Sequence, residues 1–251
     1  MSDPNVDDWN AHWGRYQETA ELNPAQKWRH RLLLNMIGKD AQPGTILDIG
    51  SGQGDMAALL SQSWPSAKLL GLDLSETGCR IAKAKVPAGT FIPCDLIAGA
   101  EPEDKHRDVA EFAVCSEVLE HVDDPVTLLK NASKWMAPGC RLCITVPGGP
   151  MSAFDKHIGH RQHFTRQRIR AVLEEAGFVV ERADGAGFPF FNLYRMVVVA
   201  RGKKLIDDVE GDAAETSPLA KIMMQLFDDL FAFNLSRGSL GWQITALARK
   251  P

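Results

Sequence analysis

The run Ile46-Leu47-Asp48-Ile49-Gly50-Ser51-Gly52-Gln53-Gly54 constrains this chain more than any other stretch. An apolar run ends beside an acid, and three glycines then fall on alternate positions. The apolar part reads as a buried parallel strand. The glycines allow a sharp turn and let a ligand lie against bare backbone. Asp55 to Trp64 reads as a helix whose N-terminus faces that ligand. The dinucleotide fingerprint G-x-G-x-x-G is shaped around a pyrophosphate. Here the spacing is G-x-G-x-G, with Asp48 two residues before the first glycine. An acid at that place pairs with a cationic ligand and repels a phosphate. A strand-helix turn without a ligand rarely needs three glycines.

With Asp48, Gly50, Gly52 and Gly54 so placed, the chain resembles the class I S-adenosylmethionine-dependent methyltransferases, whose first motif has this form. Later segments extend the resemblance. Lys68 to Leu72 reads as a second strand, and Asp73 at its end is expected at the ribose hydroxyls, beside Leu74. The alternative for Asp73 is a helix cap, a role Ser75 can also fill. Thr90 to Leu96 resembles the family's third element, so Asp95 or the backbone at Leu96 is expected near the adenine; loop capping by Asp95 is the alternative. Glu111 to Cys115 reads as a fourth strand, followed by Ser116 and Glu117-Val118-Leu119-Glu120-His121. That string resembles the E-x-L-E-H element of ubiquinone-type and related small-molecule methyltransferases. Glu117, Glu120 and His121 share a face if the turn is helical. Asp124 and Pro125 open a helix expected to run to about Met136, Pro138-Gly139 ends it, and Cys140 to Val146 is the fifth strand.

The expected fold is therefore α/β. It is a Rossmann-like, seven-stranded, mostly parallel sheet whose antiparallel last strand is Leu240 to Lys250. The resemblance implies an S-adenosylmethionine-binding core at 45–186, closed by the last strand at 239–251. By the same resemblance residues 1–44 are expected to form an N-terminal helical lid, with Trp9, His12, Trp13 and Tyr16 on one helical face and a second helix at Pro24–Ile37. Trp13 or Tyr16 would touch the bound sulfonium as aromatic faces touch other cations. Residues 187–238 form a helical insertion, too long for a link without structure of its own. It holds an aromatic run from Gly187 to Arg195, a basic Arg201 to Lys204 and a polar stretch from Asp207 to Ser217 expected to be an exposed loop. Pro218 to Leu235 then reads as an amphipathic helix, with Leu219, Ile222, Met223, Leu226, Phe227, Leu230 and Phe231 on one side. That side is a substrate cover, a core contact or a homodimer surface.

Three histidines, His157, His160 and His163, follow the fifth strand, where ligands bind in open α/β sheets. His160 lies five residues before Thr165, the position at which related enzymes often carry a histidine. Alignment and exclusion of water are most of what the reaction requires. A hydroxyl acceptor also needs its proton taken, which makes His160, with His121 as second candidate, the expected general base. Glu117, Glu120, His121 and His160 also match a ligand pattern of some ubiquinone-type and small-RNA 2′-O-methyltransferases, so a divalent metal is a secondary route.

Composition narrows the partners. At 251 residues, 45% apolar, 24% charged and net −4, the chain carries no nucleic-acid signature, no membrane span and no signal peptide. Its five cysteines, with Cys140 and Cys143 on opposite strand faces, read as reduced thiols of a cytoplasmic protein. The expected activity is methylation of a hydroxyl on a small-molecule acceptor: a sugar, polyketide-like or lipid-linked compound. The alternatives are N-methylation of a small amine, an NAD-dependent oxidoreductase disfavoured by the glycine spacing, and a catalytically silent relative.

Overall fold

The structure is a computed structural model and describes residues 23–202 and 218–251. The apolar runs become the strands of one sheet: β1 (Thr45–Ile49), β2 (Lys68–Asp73), β3 (Thr90–Pro93), β4 (Ala110–Ser116), β5 (Met136–Pro147), β6 (Val179–Ala186) and β7 (Gln243–Arg249). They lie in the order β3-β2-β1-β4-β5-β7-β6, with β7 antiparallel to both of its neighbours. Leu142, Cys143, Ile144 and Val146 are successive or nearly so, and all are buried. A strand apolar on both faces needs cover on both faces. Helix α2 (Asp55–Ser63) follows β1, α3 (Glu76–Lys85) follows β2, α4 (Pro125–Ala132) follows β4, and both α5 (Ala153–His157) and α6 (Arg166–Glu175) follow β5. Cys140 belongs to the core on one side of the sheet and Cys143 to the core on the other.

Strand order reverses between β1 and β4. Their following loops part there and open a crevice at the carboxyl ends of the strands.

The helix α1 (Pro24–Ile37) starts at Asn23, whose side chain accepts a hydrogen bond from Ala25 N, with Pro24 in the first turn. Leu33 and Ile37 of α1 pack under the sheet. Ala25, Trp28 and Leu32 instead join a separate aromatic cluster. It also holds Ala186 of β6, Phe191 of α7 (Phe190–Arg201), Phe227 of α8 (Pro218–Leu230) and Phe231 of the 3₁₀ turn that follows α8. The Trp28 ring lies 4.9 Å from that of Phe191 and 5.8 Å from that of Phe231.

Three expectations need correction. The helix from Pro125 stops at Ala132, and β5 begins at Met136 with Pro138-Gly139 inside it. These residues stay in the strand because Gly139 N donates to Lys250 O and Lys250 N to Cys140 O, pairing them with the chain end. The segment after β4 is helical only over Leu119–His121, as one 3₁₀ turn. Glu117 precedes that turn at φ +55°, so it does not share a helical face with Glu120 and His121. Finally, the helix expected over Pro218 to Leu235 ends at Leu230, with one 3₁₀ turn after it, and its apolar side is only partly covered. Phe227 and Phe231 are buried, whereas Ile222, Met223 and Leu226 are exposed, because the stripe is wider than its contact with α1 and α7.

Trp9, His12, Trp13 and Tyr16 lie outside the described residues, as does the stretch from Asp207 to Ser217. Among the described residues no helix is long and apolar enough to cross a membrane.

Candidate functional site

The first wall of the crevice is backbone. Gly50, Gly52 and Gly54 have φ of +69°, +50° and +83°, where side chains are strained. Gly50 N and Ser51 N donate to Leu72 O at 2.7 and 3.0 Å, folding the loop onto β2. A Cβ on Gly50 would lie 2.3 Å from a Val118 methyl carbon. The third glycine has a different duty. A Cβ on Gly54 would lie 2.7 Å from that of Ala82, so Gly54 lets α2 and α3 approach, and it does not line the cavity.

Asp73 clamps this loop. Its Oδ2 accepts from Gly52 N at 2.7 Å and its Oδ1 from Ser75 N at 2.8 Å. Ser75 caps α3 through Gly78 N, so the helix does not depend on Asp73. Each carboxylate oxygen has a second lone pair, which leaves Asp73 able to accept hydrogen bonds from a ligand. Burial raises its pKa, against the pull of the two backbone donors. Asp48 is also buried, and its Oδ2 has no hydrogen-bond partner. Burial, then the charges of Asp73 and Asp55, push Asp48 up to about 7. An orphaned acid in a dry wall is a socket for a cation.

A cavity of about 540 Å³ runs from this loop toward the end of β5. That size suits a bound small molecule. Asp48, Gly50, Ser51, Gly52, Gln53, Asp73, Leu74, Asp95, Leu96, Ser116, Glu117, His121 and His160 all line it. Asp95 Oδ1 also accepts from Ile97 N and Ala98 N at 2.8 and 3.0 Å, the loop cap weighed from sequence.

The second wall is made of side chains. Glu117 lies apart from the histidines: Gln243 Nε2 donates to its Oε1 at 2.8 Å, and Arg29 Nε is 3.5 Å from its Oε2. Glu120 is fully buried and neither carboxylate oxygen has a partner. Burial, then Glu117, holds its pKa well above the usual carboxylate range. His121 Nε2 and His160 Nε2 stand 3.9 and 4.0 Å from Glu120 Oε1. The two rings meet edge to face at 4.8 Å. Burial, then His121, lowers His160 to about 3 and keeps the ring neutral.

Asp155 anchors the other side of His160. It receives Arg195 Nη1 on Oδ1 at 3.0 Å and Arg195 Nη2 on Oδ2 at 2.7 Å. Ser152 N and Oγ also donate to Oδ2. Burial alone would raise the acid, but Arg195 and Ser152 together hold it down to about 2. His160 Nδ1 and His163 Nε2 are 3.3 Å apart, and both lie 3.9 Å from Asp155. His157, the third of the run, is exposed and outside this group.

Among the described residues two triads have metal-ligand spacing: Glu120, His121 and His160, and Asp155, His160 and His163. Their chemistry differs. The Asp155 oxygens are occupied by Arg195 and Ser152, whereas those of Glu120 are open. Only the first triad has an available carboxylate, and Glu117 is not part of it.

Sequence reasoning missed Asp155, Arg195, Gln243 and Arg29. Asp155 had a signal, since Ser152-x-x-Asp155 is a capping-box spacing and forms one at the start of α5. Arg195 sat unremarked in an aromatic run, 40 residues from its partner.

Comparison with known proteins fits this geometry. A family described as "Methyltransferase domain" matches residues 16–183. A trans-aconitate 2-methyltransferase of Afipia carboxidovorans is 26% identical over 172 residues, 67% of this chain and 63% of that protein. The chain thus spans less than two thirds of the length of that relative. A ubiquinone biosynthesis O-methyltransferase of Aeromonas salmonicida is 23% identical over 201 residues, 73% of this chain and 82% of that one. In fold, the chain is similar to phosphoethanolamine N-methyltransferase 2 of Haemonchus contortus solved with S-adenosyl-L-methionine. The TM-score is 0.59 at 17% identity, covering 98% of this chain and 60% of that one.

Proposed function

Because this chain belongs to the class I S-adenosylmethionine-dependent methyltransferases, we propose that it methylates a hydroxyl oxygen of a small molecule with S-adenosylmethionine as donor. The observation that carries this reading is a neutral imidazole, His160, on a cavity that begins at the glycine loop. The cradle fits the donor. Asp48 offers an unpartnered carboxylate oxygen to a cation, Gly50 and Gly52 lie on the cavity wall with Gly52 at positive φ, and Asp73 keeps free lone pairs for ribose hydroxyls.

When bound, that donor supplies a methyl group on a sulfonium, with a neutral thioether as leaving group. The residues of this chain do the rest. Phe154, Ile158, Phe191 and Val198 line the cavity and exclude water from the line of attack. His160 Nε2 orients the acceptor hydroxyl and takes its proton as the new C–O bond forms and the S–CH₃ bond breaks. An imidazole at about 3 is a weak base toward an alcohol. It is strong enough here, because the oxygen becomes an oxonium as it accepts the methyl group.

A second reading has its own observation. Glu120 is buried with both oxygens open, beside two imidazole nitrogens. One carboxylate and two imidazoles suit Zn²⁺, Mn²⁺ or Fe²⁺ better than Mg²⁺. Glu120, His121 and His160 would hold the ion, which would polarise the acceptor oxygen as a Lewis acid.

A transfer assay with methyl-labelled S-adenosylmethionine tests both readings. The acceptor panel holds hydroxylated and amine compounds, with trans-aconitate included, and each is run with and without chelator. Label on a hydroxyl oxygen, resistant to chelator, is expected. Label on nitrogen alone overturns the oxygen reading, and chelator-sensitive transfer moves the role to the Glu120 triad.

A further inference from the structure

A backbone carbonyl has lone pairs and no proton. His163 Nδ1 lies 3.0 Å from Gly149 O, so that nitrogen carries a hydrogen. In the neutral ring Nε2 is then bare. It faces His160 Nδ1 at 3.3 Å, and two bare nitrogens at that distance repel. The hydrogen of His160 therefore belongs on Nδ1, donated to His163. Asp155, paired with the Arg195 fork, stands 3.9 Å from both His160 Nδ1 and His163 Nε2, so it favours a hydrogen between the two rings, and the Gly149 carbonyl decides which ring carries it. His160 Nε2 is left with its lone pair, in the corner with Glu120 and His121.

We propose that Gly149 O, His163 and Asp155 form a relay that fixes His160 as the Nδ1–H tautomer and presents its bare Nε2 to the acceptor. His163 is then a positioning residue, and it reaches the reacting atoms only through His160. The inference rests on the reading of His160 as the group that meets the acceptor, since only a bare nitrogen can take a proton. Arg195 on α7 ties the segment between β6 and β7 to this relay through Asp155.

The test is the long-range ¹H–¹⁵N spectrum of the full chain with ¹⁵N-histidine at neutral pH, with S-adenosylhomocysteine present. Its seven histidines are assigned by single substitution to Gln. In the wild type His160 and His163 are both expected as Nδ1–H rings. His163→Phe keeps an aromatic ring but offers no acceptor, so His160 should move to the Nε2–H form favoured in water, or to a mixture. His163→Gln carries one donor and one acceptor, and should return His160 to Nδ1–H. A wild-type His160 protonated on Nε2 beside a doubly protonated His163 overturns the relay, as does an unchanged tautomer in His163→Phe. If His163→Phe does not fold, the wild-type and His163→Gln spectra decide. The two ideas fail separately: expected tautomers with full methyl transfer in His163→Phe uphold the relay and remove His160 as base.

Discussion

The two walls of the cavity are built on different principles. The glycine-loop wall spans Asp48 to Asp55 and works mainly through main chain, tied to β2 by hydrogen bonds from Gly50 N to Leu72 O and from Gly52 N to Asp73. The histidine wall works through side chains brought from the turn after β4, the loop after β5, α7 and β7. A wall of backbone tolerates few substitutions because it has no spare volume. A wall of side chains depends instead on charge balance in a dry place, where an unpaired group is expensive.

Gly52→Val strikes the first wall hardest. A β-branched residue at φ +50° is strained, and its methyls would fill the cradle. Titration calorimetry should show no measurable binding of S-adenosylmethionine by a protein that still folds. Normal binding would mean that the backbone of this loop is not the cradle.

At the second wall, His160→Ala should lower transfer to the acceptor found above by about 10²–10⁴-fold. Cofactor affinity should change little, since the proposed cradle is the glycine loop with Asp73 and His160 belongs to the second wall. Full activity would hand the role to His121. A large loss of cofactor affinity would show the two walls to be one unit.

Arg195→Met tests charge balance alone. It leaves Asp155 buried and unpaired, so denaturant unfolding should report about 3–5 kcal/mol lost. Replacing both partners, as Asp155→Asn with Arg195→Met, should recover much of it. A loss below about 1 kcal/mol would mean that water reaches the carboxylate.

The smallest effect is on pH. Asp48 is pushed up to about 7, and a bound cation favours its ionised form. Cofactor affinity should therefore fall below pH 7, by up to about tenfold per unit, and Asp48→Asn should remove the dependence. The free protein shows the opposite sign. The raised pKa stabilises the fold at low pH, and that stability is lost as pH rises toward about 7. Asp48→Asn should thus melt higher than wild type at pH 8, and an equal melting point would place Asp48 in solvent.

The contrast also explains what could be read in advance. The glycine loop, Asp48, Asp73 and the alternation of strands with helices were legible because each is a short-range pattern. An apolar run, a turn that needs positive φ and an acid at a strand end are all written within a few residues. The boundary of β5 was misread because Pro138-Gly139 looks like a stop, and its partner at Lys250 lies at the far end of the chain. The spread of Glu117 away from Glu120 was hidden for a similar reason. A single positive φ at a non-glycine residue is held by Gln243 and Arg29, neither of which is near it in sequence.

Sequence alone determined the fold, the family, the glycine loop and the presence of histidines after β5. Periodicity and turn chemistry act locally and survive in any context. Tertiary structure decided the chemistry of the second wall. It withheld every partner from Glu120, filled Asp155 with Arg195, and faced His160 toward His163 across 3.3 Å. Whether a buried acid is open or occupied, and which ring nitrogen is bare, depends on what stands within hydrogen-bond reach, and only the folded chain sets those distances.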